Sequence, residues 1–323
     1  MRRLAPLLLG LSAVACNAVV GWGDLTRVRA SAEGEEDGGD EEPTDPQKPD
    51  AAPKDDAGGP RCDPNKPFGA PVPLAGMSTS VHETGAALTG DELEIFFQRT
   101  SGLDGGTILR ATRTSIDVDF DPPQEVTELG TSGLLYSPSV TADGLSLFYA
   151  QLDPQKGFRI MNATRTTRGR QFDRILDVAR IAAGAEDTFP FVTGDGRALF
   201  FTRDIAAKRG RIFRAERDDL GEYVQPKQVD ELASSAAEES VAVTADGLRV
   251  FFGSSRAGGL GEMDIWTARR DKDTDAWSNI ELVPNVNTAE TDWPHWVSPD
   301  GCRLYLSSVG AQPGDIKIAT RPR

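Results

Sequence analysis

Histidine is scarce in this sequence, and His82 and His295 are the only two among 323 residues. The sequence therefore offers no metal site of the histidine-cluster kind. The mature chain also lacks the H-E-x-x-H motif of zinc proteases, the phosphate-binding P-loop, the G-x-S-x-G motif of serine hydrolases and any Cys-x-x-Cys pair. We assign no catalytic residue from motifs and expect neither a metal nor a cofactor.

Positive charge is also in short supply, since 35 lysines and arginines face 50 aspartates and glutamates, for a net charge of −15. No basic patch supports nucleic-acid binding. Much of the acidity lies between Glu33 and Asp56, where 11 acids and 2 lysines give a net charge of −9. Such a segment cannot bury enough apolar surface to offset its ordering entropy. We predict that residues 16–60 form a disordered acidic tether.

Five copies of one sequence unit fill the remainder of the chain. Each has a turn aspartate, and the spacings of 52, 52, 51 and 54 residues separate Asp91, Asp143, Asp195, Asp246 and Asp300. An aromatic residue lies 23 positions before each aspartate: Phe68, Phe120, Phe172, Tyr223 and Trp277. The pattern I-x-x-A-x-R closes each unit at Arg113, Arg165, Arg217, Arg270 and Arg321. A fixed period of this length is typical of repeat architectures.

Each unit carries four short strands, which we name a to d from the inner to the outer edge of a sheet. Short strands in a repeat of about 50 residues are typical of a β-propeller. We predict an all-β fold, a five-bladed β-propeller of four-stranded antiparallel blades, over residues 61–323. The first outer strand, Phe68–Leu74, precedes every inner strand, and the last strand, Asp315–Thr320, lacks an outer neighbour. We expect these two segments to pair and close the ring.

The fourth unit resembles a known family of repeats. Its run T-x-D-G-x-x-V-F-F-x-S-S-R-x-G-G begins at Thr244 and is followed by D-I-W-x-A-R, ending at Arg269. This text is similar to the TolB-type WD40-like β-propeller repeat of bacterial envelope proteins. The first unit departs from the pattern, with Glu92 where glycine is expected. The TolB propeller has six blades and a preceding domain, neither of which this sequence shows, so its partners do not carry over.

The first 15 residues have the features of an export signal. Arg2 and Arg3 precede a short apolar run, and Ala13–Ala15 stand before Cys16. This arrangement resembles a bacterial lipoprotein signal, which implies cleavage before Cys16 and lipidation of that cysteine. The alternative is an ordinary secretory signal cut nearby. The resemblance implies a protein of the bacterial cell envelope, lipid-anchored at the outer membrane or on the periplasmic face.

The chain has two further cysteines, Cys62 and Cys302. Cys302 begins strand b of the fifth blade, and Cys62 lies six residues before the outer strand that we place in the same blade. Strands b and d start at the same end of an antiparallel blade. We therefore predict a disulfide that latches the closure of the ring. The alternative is two unpaired thiols.

Acidic residues recur eight positions before the turn aspartates, near the start of the inner strand a. Four of the five units carry one there: Glu83, Asp187, Glu238 and Asp292, with Leu135 in the remaining unit. Since strand a lines the central channel, we interpret these four residues, together with Trp293, as a ligand-binding ring at the channel mouth. In the alternative interpretation they cap loop N–H groups or face water. The nearby arginines Arg99, Arg203 and Arg256 are available to pair with them.

Two functions remain open at this point. The first is a non-enzymatic lipoprotein, expected to be a monomer, whose propeller binds a protein, peptide or glycan on the face away from the membrane. The second is a glycoside hydrolase that uses the channel-mouth carboxylates. That chemistry needs two carboxyl groups about 5–5.5 Å apart for retention, or about 6.5–9.5 Å apart for inversion.

Overall fold

The structure, a computed structural model, describes residues 61–100, 106–130, 134–153, 155, 157–181, 186–205, 209–310 and 313–323. The predicted signal peptide, the lipidation of Cys16 and the acidic tether lie outside the described residues. The described part of the chain contains no helix with the length and apolar content of a membrane span. Its strands form five separate four-stranded antiparallel sheets, so the predicted five-bladed all-β fold is confirmed.

The five blades follow one another along the chain. Blade 1 holds β2 (His82–Leu88), β3 (Glu94–Thr100), β4 (Gly106–Thr112) and β5 (Gln124–Glu125). Blade 2 holds β6 (Leu135–Val140), β7 (Ser146–Asp153), β8 (Gly157–Thr164) and β9 (Arg174–Asp177). Blade 3 holds β10 (Asp187–Val192), β11 (Ala198–Ile205), β12 (Arg209–Arg217) and β13 (Tyr223–Gln228). Blade 4 holds β14 (Glu238–Val243), β15 (Arg249–Ser254), β16 (Asp264–Arg269) and β17 (Ser278–Leu282). Blade 5 holds β18 (Thr291–Val297), β19 (Arg303–Val309), β20 (Asp315–Thr320) and, from the start of the domain, β1 (Val72–Pro73).

The turn aspartate recurs because it organises the turn between strands a and b. In the fourth unit, Thr244 Oγ1 donates to Asp246 Oδ1 at 2.6 Å, and the Leu248 N–H donates to the same oxygen at 2.9 Å. The Thr244 hydroxyl oxygen then accepts the Arg249 N–H at 3.0 Å. The other four units repeat this network, with Ser298 in place of threonine in the fifth. The side chains thus satisfy turn N–H groups that no strand partner reaches.

The closing arginine and the recurring aromatic residue form a second repeated contact. The guanidinium carbon lies 4.0–4.8 Å from the centre of the ring in four blades, in the pairs Arg113–Phe120, Arg165–Phe172, Arg270–Trp277 and Arg321–Phe68. In these blades the arginine Nε also donates to a carbonyl of the a–b turn. Blade 3 makes a different contact to its a–b turn: the Tyr223 hydroxyl donates to the Gly196 carbonyl at 2.7 Å. Each of these contacts holds the outer-strand aromatic residue near the a–b turn of its own blade.

Aromatic residues of strand b fill the space between blades. They occupy equivalent positions and are all at most 1% exposed: Phe96, Phe148, Phe200, Phe251 and Tyr305. Three of them meet the outer-strand aromatic of the following blade, with ring centres 5.5–5.9 Å apart in Phe96–Phe172, Phe148–Tyr223 and Phe251–Phe68. A single blade would leave the faces of its sheet exposed to water, and packing between neighbouring blades buries them.

The ends of the domain meet in blade 5, as predicted. Val72 pairs with Ile318, and Pro73 pairs with Lys317. The ladder is extended on both sides by the N–H groups of Gly69 and Leu74, which donate to strand β20 at 2.8 and 2.9 Å. Cys62 and Cys302 form the predicted disulfide.

Glu92, the residue that departs from the repeat, belongs to the same closure. It adopts a left-handed conformation with φ 60°, which glycine would adopt without strain, and it is 1% exposed. Its carboxylate binds Arg303 of blade 5, with Nε at 2.6 Å, and also contacts Arg61 and Arg113. The glutamate therefore joins blade 1 to blade 5 and to the segment that carries Cys62.

Removal of the disulfide should weaken the closure. We expect the Cys62→Ser, Cys302→Ser double variant to lose about 2–4 kcal/mol of unfolding free energy, because the cross-link constrains the unfolded chain. Urea denaturation followed by tryptophan fluorescence measures this loss. Wild-type protein unfolded in reductant serves as the control and should match the variant. Equal midpoints for the variant and the oxidised wild type would contradict a stabilising role.

Restoring glycine at position 92 should destabilise the propeller, although it removes backbone strain. Glu92→Gly leaves Arg303 without its carboxylate partner and removes the contacts to Arg61 and Arg113, and we expect a loss of about 3 kcal/mol, at the low end for a broken buried pair. Glu92→Gln, which keeps the side-chain shape, should lose less. Thermal unfolding of both variants provides the measurement, and a Glu92→Gly protein as stable as wild type would mean that relief of strain outweighs the ion pairs.

Candidate functional site

The four predicted acids lie at the top of the propeller, which we define as the face formed by the d–a and b–c loops. Their side chains are buried, with at most 2% exposure for Glu83, Asp187, Glu238 and Asp292. Leu135, at the fifth position, is buried as well. The carboxylates of Glu83, Asp187 and Asp292 bond to their own blade or to the loop that precedes it, and that of Glu238 also binds Arg211 of blade 3.

Two of these acids hold the loop that precedes their strand. Glu83 accepts the N–H of Thr79 at 3.0 Å and its hydroxyl at 2.5 Å. Asp292 accepts the N–H of Thr288 at 2.6 Å and its hydroxyl at 2.9 Å. Ser234 lies at the equivalent position and donates its hydroxyl to Glu238 at 2.5 Å, and its Oγ accepts the N–H two residues on, as the hydroxyls of Thr79 and Thr288 do. The acids thus act as caps for the d–a loops.

Arginines of strands b and c complete these contacts. The pairs are Arg99–Glu83 at 2.7 Å, Arg203–Asp187 at 2.7 Å, Arg211–Glu238 at 2.9 Å and Arg256–Glu238 at 3.3 Å. Arg203 and Arg256 also donate to the carbonyls of Ile181 and Leu232 in the d–a loops, both at 2.5 Å. Ligand binding by the four carboxylates stays a prediction, and in the structure their oxygens already have partners from the protein.

The residue after each of the four acids, and after Leu135 in blade 2, is half-buried and belongs to the other face of strand a. These residues are Thr84, Tyr136, Thr188, Glu239 and Trp293. Unlike the acids, they differ from blade to blade. Trp293, the one member predicted from sequence, donates its indole N–H to Met263 Sδ at 3.2 Å.

Phe189 and Trp293 meet although their blades are not neighbours. Their ring centres lie 5.7 Å apart, and blade 4 stands between blades 3 and 5 in the ring, so the contact crosses the central channel. Phe189 occupies the left-handed position of a bulge in strand a, with φ 47°. The bulges of blades 1, 2 and 4 place Gly85, Ser137 and Ser240 there. A bulky residue in this conformation is strained, so the aromatic ring is present at an energetic cost.

Glu239 completes this group from blade 4. Burial raises the pKa of its carboxyl, the nearby carboxylate of Asp204 raises it further, and the neighbouring indole N–H of Trp293 lowers it in part. Among the described residues, no lysine or arginine forms an ion pair with Glu239. We call Phe189, Glu239, Met263 and Trp293 the mouth cluster.

Phe189 and Glu239 are absent from the set predicted from sequence. They lie two and one positions after the predicted acids Asp187 and Glu238. For Glu239, strand alternation was the available signal, because neighbouring residues of a strand point to opposite faces of the sheet. The bulge that turns Phe189 into the channel leaves no mark in the sequence.

Neither histidine extends the mouth cluster into a metal or acid–base site. His295 bonds Ser307 Oγ through Nε2 at 2.7 Å, and burial lowers its pKa to about 3, so the ring is neutral at physiological pH. His82 accepts the Gly314 N–H at 2.9 Å. Within the described ranges, no group of three or more His, Cys, Asp and Glu residues is placed to hold a metal ion.

Two grooves lie elsewhere, on the side of the propeller. They have volumes of about 440 and 510 Å³ and run between the outer strand of one blade and the c–d loop of the next, at blades 1–2 and 3–4. Both mix acids and bases, as at Arg110 and Glu125 in the first and at Lys227 and Asp273 in the second. They repeat the geometry of a blade boundary and contain none of the predicted site residues.

Comparison with known proteins finds structures of similar fold but no sequence match. No protein-family profile matches the chain, and no curated protein sequence matches it. A thermostable family-43 glycoside hydrolase is similar over 77% of this chain and 91% of its own, at 15% identity and a TM-score of 0.54. The catalytic domain of the GH62 α-L-arabinofuranosidase from Coprinopsis cinerea is similar over 80% and 97%, at 10% identity and a TM-score of 0.52. TolB from Acinetobacter baumannii matches over 76% of this chain and 55% of its own, at 18% identity and a TM-score of 0.49. At these low identities, the similarity to the two hydrolase structures shows a shared fold alone.

Neutralising Glu239 should stabilise the protein. Its pKa is higher folded than unfolded, so its contribution to stability falls as pH rises from the ordinary glutamate value through the raised one. Above that window the folded state bears the whole cost of the ionised form. We expect Glu239→Gln to raise Tm at pH 7 by about 2–4 °C, the shift that about 1 kcal/mol produces.

The control is Glu125→Gln, the same change at an exposed residue of β5. It should leave Tm unchanged. The stability difference between Glu239→Gln and wild type should also shrink toward pH 4, where the wild-type carboxyl is protonated. A lower Tm for Glu239→Gln at pH 7 would show that the ionised carboxylate is stabilised by a partner.

Proposed function

We propose that this chain is a non-enzymatic binding protein of the bacterial cell envelope, anchored by lipid at Cys16, which holds a protein, peptide or glycan at the mouth of its propeller channel. The mouth cluster carries this proposal. It places two aromatic rings and a carboxyl group at the end of the channel, where the loops differ from blade to blade. Aromatic surface with a few convergent polar groups is characteristic of ligand sites.

The direction of the chain supports an outward-facing mouth. Cys302 lies at the start of β19, beside the a–b turn, whereas Ser307, which pairs with Trp293, lies toward the other end of that strand. The disulfide from Cys302 holds Cys62, so the described chain begins at the bottom of the propeller. A lipid at Cys16 would therefore keep the bottom face nearer to the membrane and leave the mouth cluster accessible.

Hydrolysis of glycosides is the second candidate, and the raised pKa values of Asp187 and Glu239 favour it, since a general acid must be protonated at working pH. Burial raises the pKa of Asp187 against the opposing effect of Arg203. The binding function has better support, because Asp187 is fixed by two hydrogen bonds from Arg203, at 2.7 and 2.9 Å, and is 2% exposed. A nucleophile or general acid has to reach the substrate.

Three exposed leucines provide a test of the binding face. Leu260 lies in a top loop, Leu176 lies on an outer strand, and Leu220 lies in a bottom loop, with exposures of 64%, 50% and 79%. A photo-crosslinking amino acid at each position, irradiated in intact cells, should trap a partner at position 260 and not at 176 or 220. Equal yields at all three, or trapping at 220 alone, would contradict the proposed face.

The hydrolase alternative has its own assay. Purified protein should not turn over chromogenic aryl arabinofuranosides or xylosides. Turnover that is lost in both Asp187→Asn and Glu239→Gln, in variants that remain folded by circular dichroism, would instead establish the hydrolase.

A further inference from the structure

We propose that the mouth cluster binds a cationic side chain, the ammonium of lysine or the guanidinium of arginine, presented by a partner polypeptide. This inference rests on the proposed binding function and adds the chemistry of the ligand. The groups involved are the rings of Phe189 and Trp293, the sulfur of Met263 and the carboxyl group of Glu239.

The chemical match comes from the combination of aromatic faces with one carboxylate. The two rings are 5.7 Å apart and tilted by 40°, so they form an open angle and not a closed stack. A cation near such ring faces is attracted by their quadrupoles, and a carboxylate beside them supplies the opposing charge. Partial burial of Glu239 strengthens its attraction for a cation, because less water screens the pair.

The described cations of the top face are already engaged elsewhere. Arg99, Arg203, Arg211 and Arg256 all point to the buried acids of strand a. Arg159 pairs with Asp153 and Asp177. In the described part of the chain, therefore, each of these arginines has an anionic partner other than Glu239. Lys208 and the side chain of Arg209, the first residue of β12, lie outside the described residues and are tested below.

Further acids surround the mouth cluster. Asp204 lies at the end of β11, close enough to raise the pKa of Glu239, and Glu186, Glu262 and Glu290 stand in top loops of blades 3, 4 and 5. Glu186 and Glu262 are exposed and Glu290 is half-buried, and none of the three forms an ion pair with a described residue. The rim of the mouth is thus negative, and it attracts a basic partner and repels an acidic one.

A polypeptide is the occupant that the neighbouring surface fits. Ile205, the last residue of β11, and Leu260, in the b–c loop of blade 4, are 40% and 64% exposed on the same face. Isolated exposed apolar residues are ordinary, but these two share the face of the mouth cluster and would offer contact for the residues beside a bound lysine. A small amine would use the mouth cluster alone.

Fluorescence anisotropy with a labelled decapeptide, Leu-Lys-Leu at its centre and Gly and Ser elsewhere, tests the proposal. We expect binding that weakens at least tenfold when the lysine is Nε-acetylated, because the charge is lost while the length remains. Glu239→Gln and Trp293→Ala should each weaken binding of the lysine peptide at least tenfold. The matched charge variant Glu125→Gln should bind as wild type does, and circular dichroism confirms that the variants are folded.

Several results would overturn the proposal. Equal binding of the lysine and acetyl-lysine peptides would reject cation recognition, while crosslinking at position 260 could still support the binding face. Free lysine amide that competes at the peptide's own Kd would reject a polypeptide ligand. If the wild type binds neither peptide but the Lys208→Ala, Arg209→Ala double variant binds the lysine form, the occupant is the protein's own loop and not a partner.

Discussion

The pairing of β1 with β20 is the contact on which the propeller depends. Every blade buries both faces against its neighbours, so an open ring would expose the faces of blades 1 and 5 together. The ladder itself is short, since β1 is only Val72–Pro73. Three other interactions reinforce it: the Cys62–Cys302 disulfide, the Arg321 guanidinium over Phe68, and the Glu92 carboxylate among arginines of both ends. The position of the mouth cluster follows from this closure, because Phe189 and Trp293 meet only in a closed ring.

The fold was predictable from sequence because its recurring contacts are local. The turn aspartate bonds residues within three positions of itself, and the closing arginine reaches an aromatic seven residues further along in blades 1, 2 and 4. Because these contacts recur in the repeats, their residues appear in the sequence at a regular period. The role of Glu92 produces no such pattern, since its partner Arg303 is 211 residues away. The repeat pattern indicated that Glu92 was an exception but not the reason for it.

The candidate site was predicted less well, and regularity explains why. We selected the four acids because they recur, but a residue that recurs from repeat to repeat is expected to have a structural role in the repeat. These acids are Glu83, Asp187, Glu238 and Asp292. Their carboxylates hold loops and arginines in place. The mouth cluster is irregular, with phenylalanine, glutamate and tryptophan at related positions of different blades. Trp293 was identified because it stands next to the mouth position Asp292, whereas Glu239, next to Glu238, was not identified.

The energetics of the mouth separate a scaffold from a site. The buried acids are satisfied by hydroxyl, N–H and guanidinium groups, so they stabilise the loops of the top face. Phe189 and Glu239 are unfavourable for the stability of the folded state. The backbone of Phe189 is strained, and burial disfavours the ionised form of the Glu239 carboxyl group. The same fold places glycine or serine at the bulge in three other blades, so a less costly residue was available. Unfavourable features gathered at one point of an otherwise self-consistent repeat indicate a function there. A cation bound beside the rings and the Glu239 carboxylate would remove part of that cost, because it would stabilise the ionised carboxylate that the free protein holds without an ion pair among its described residues.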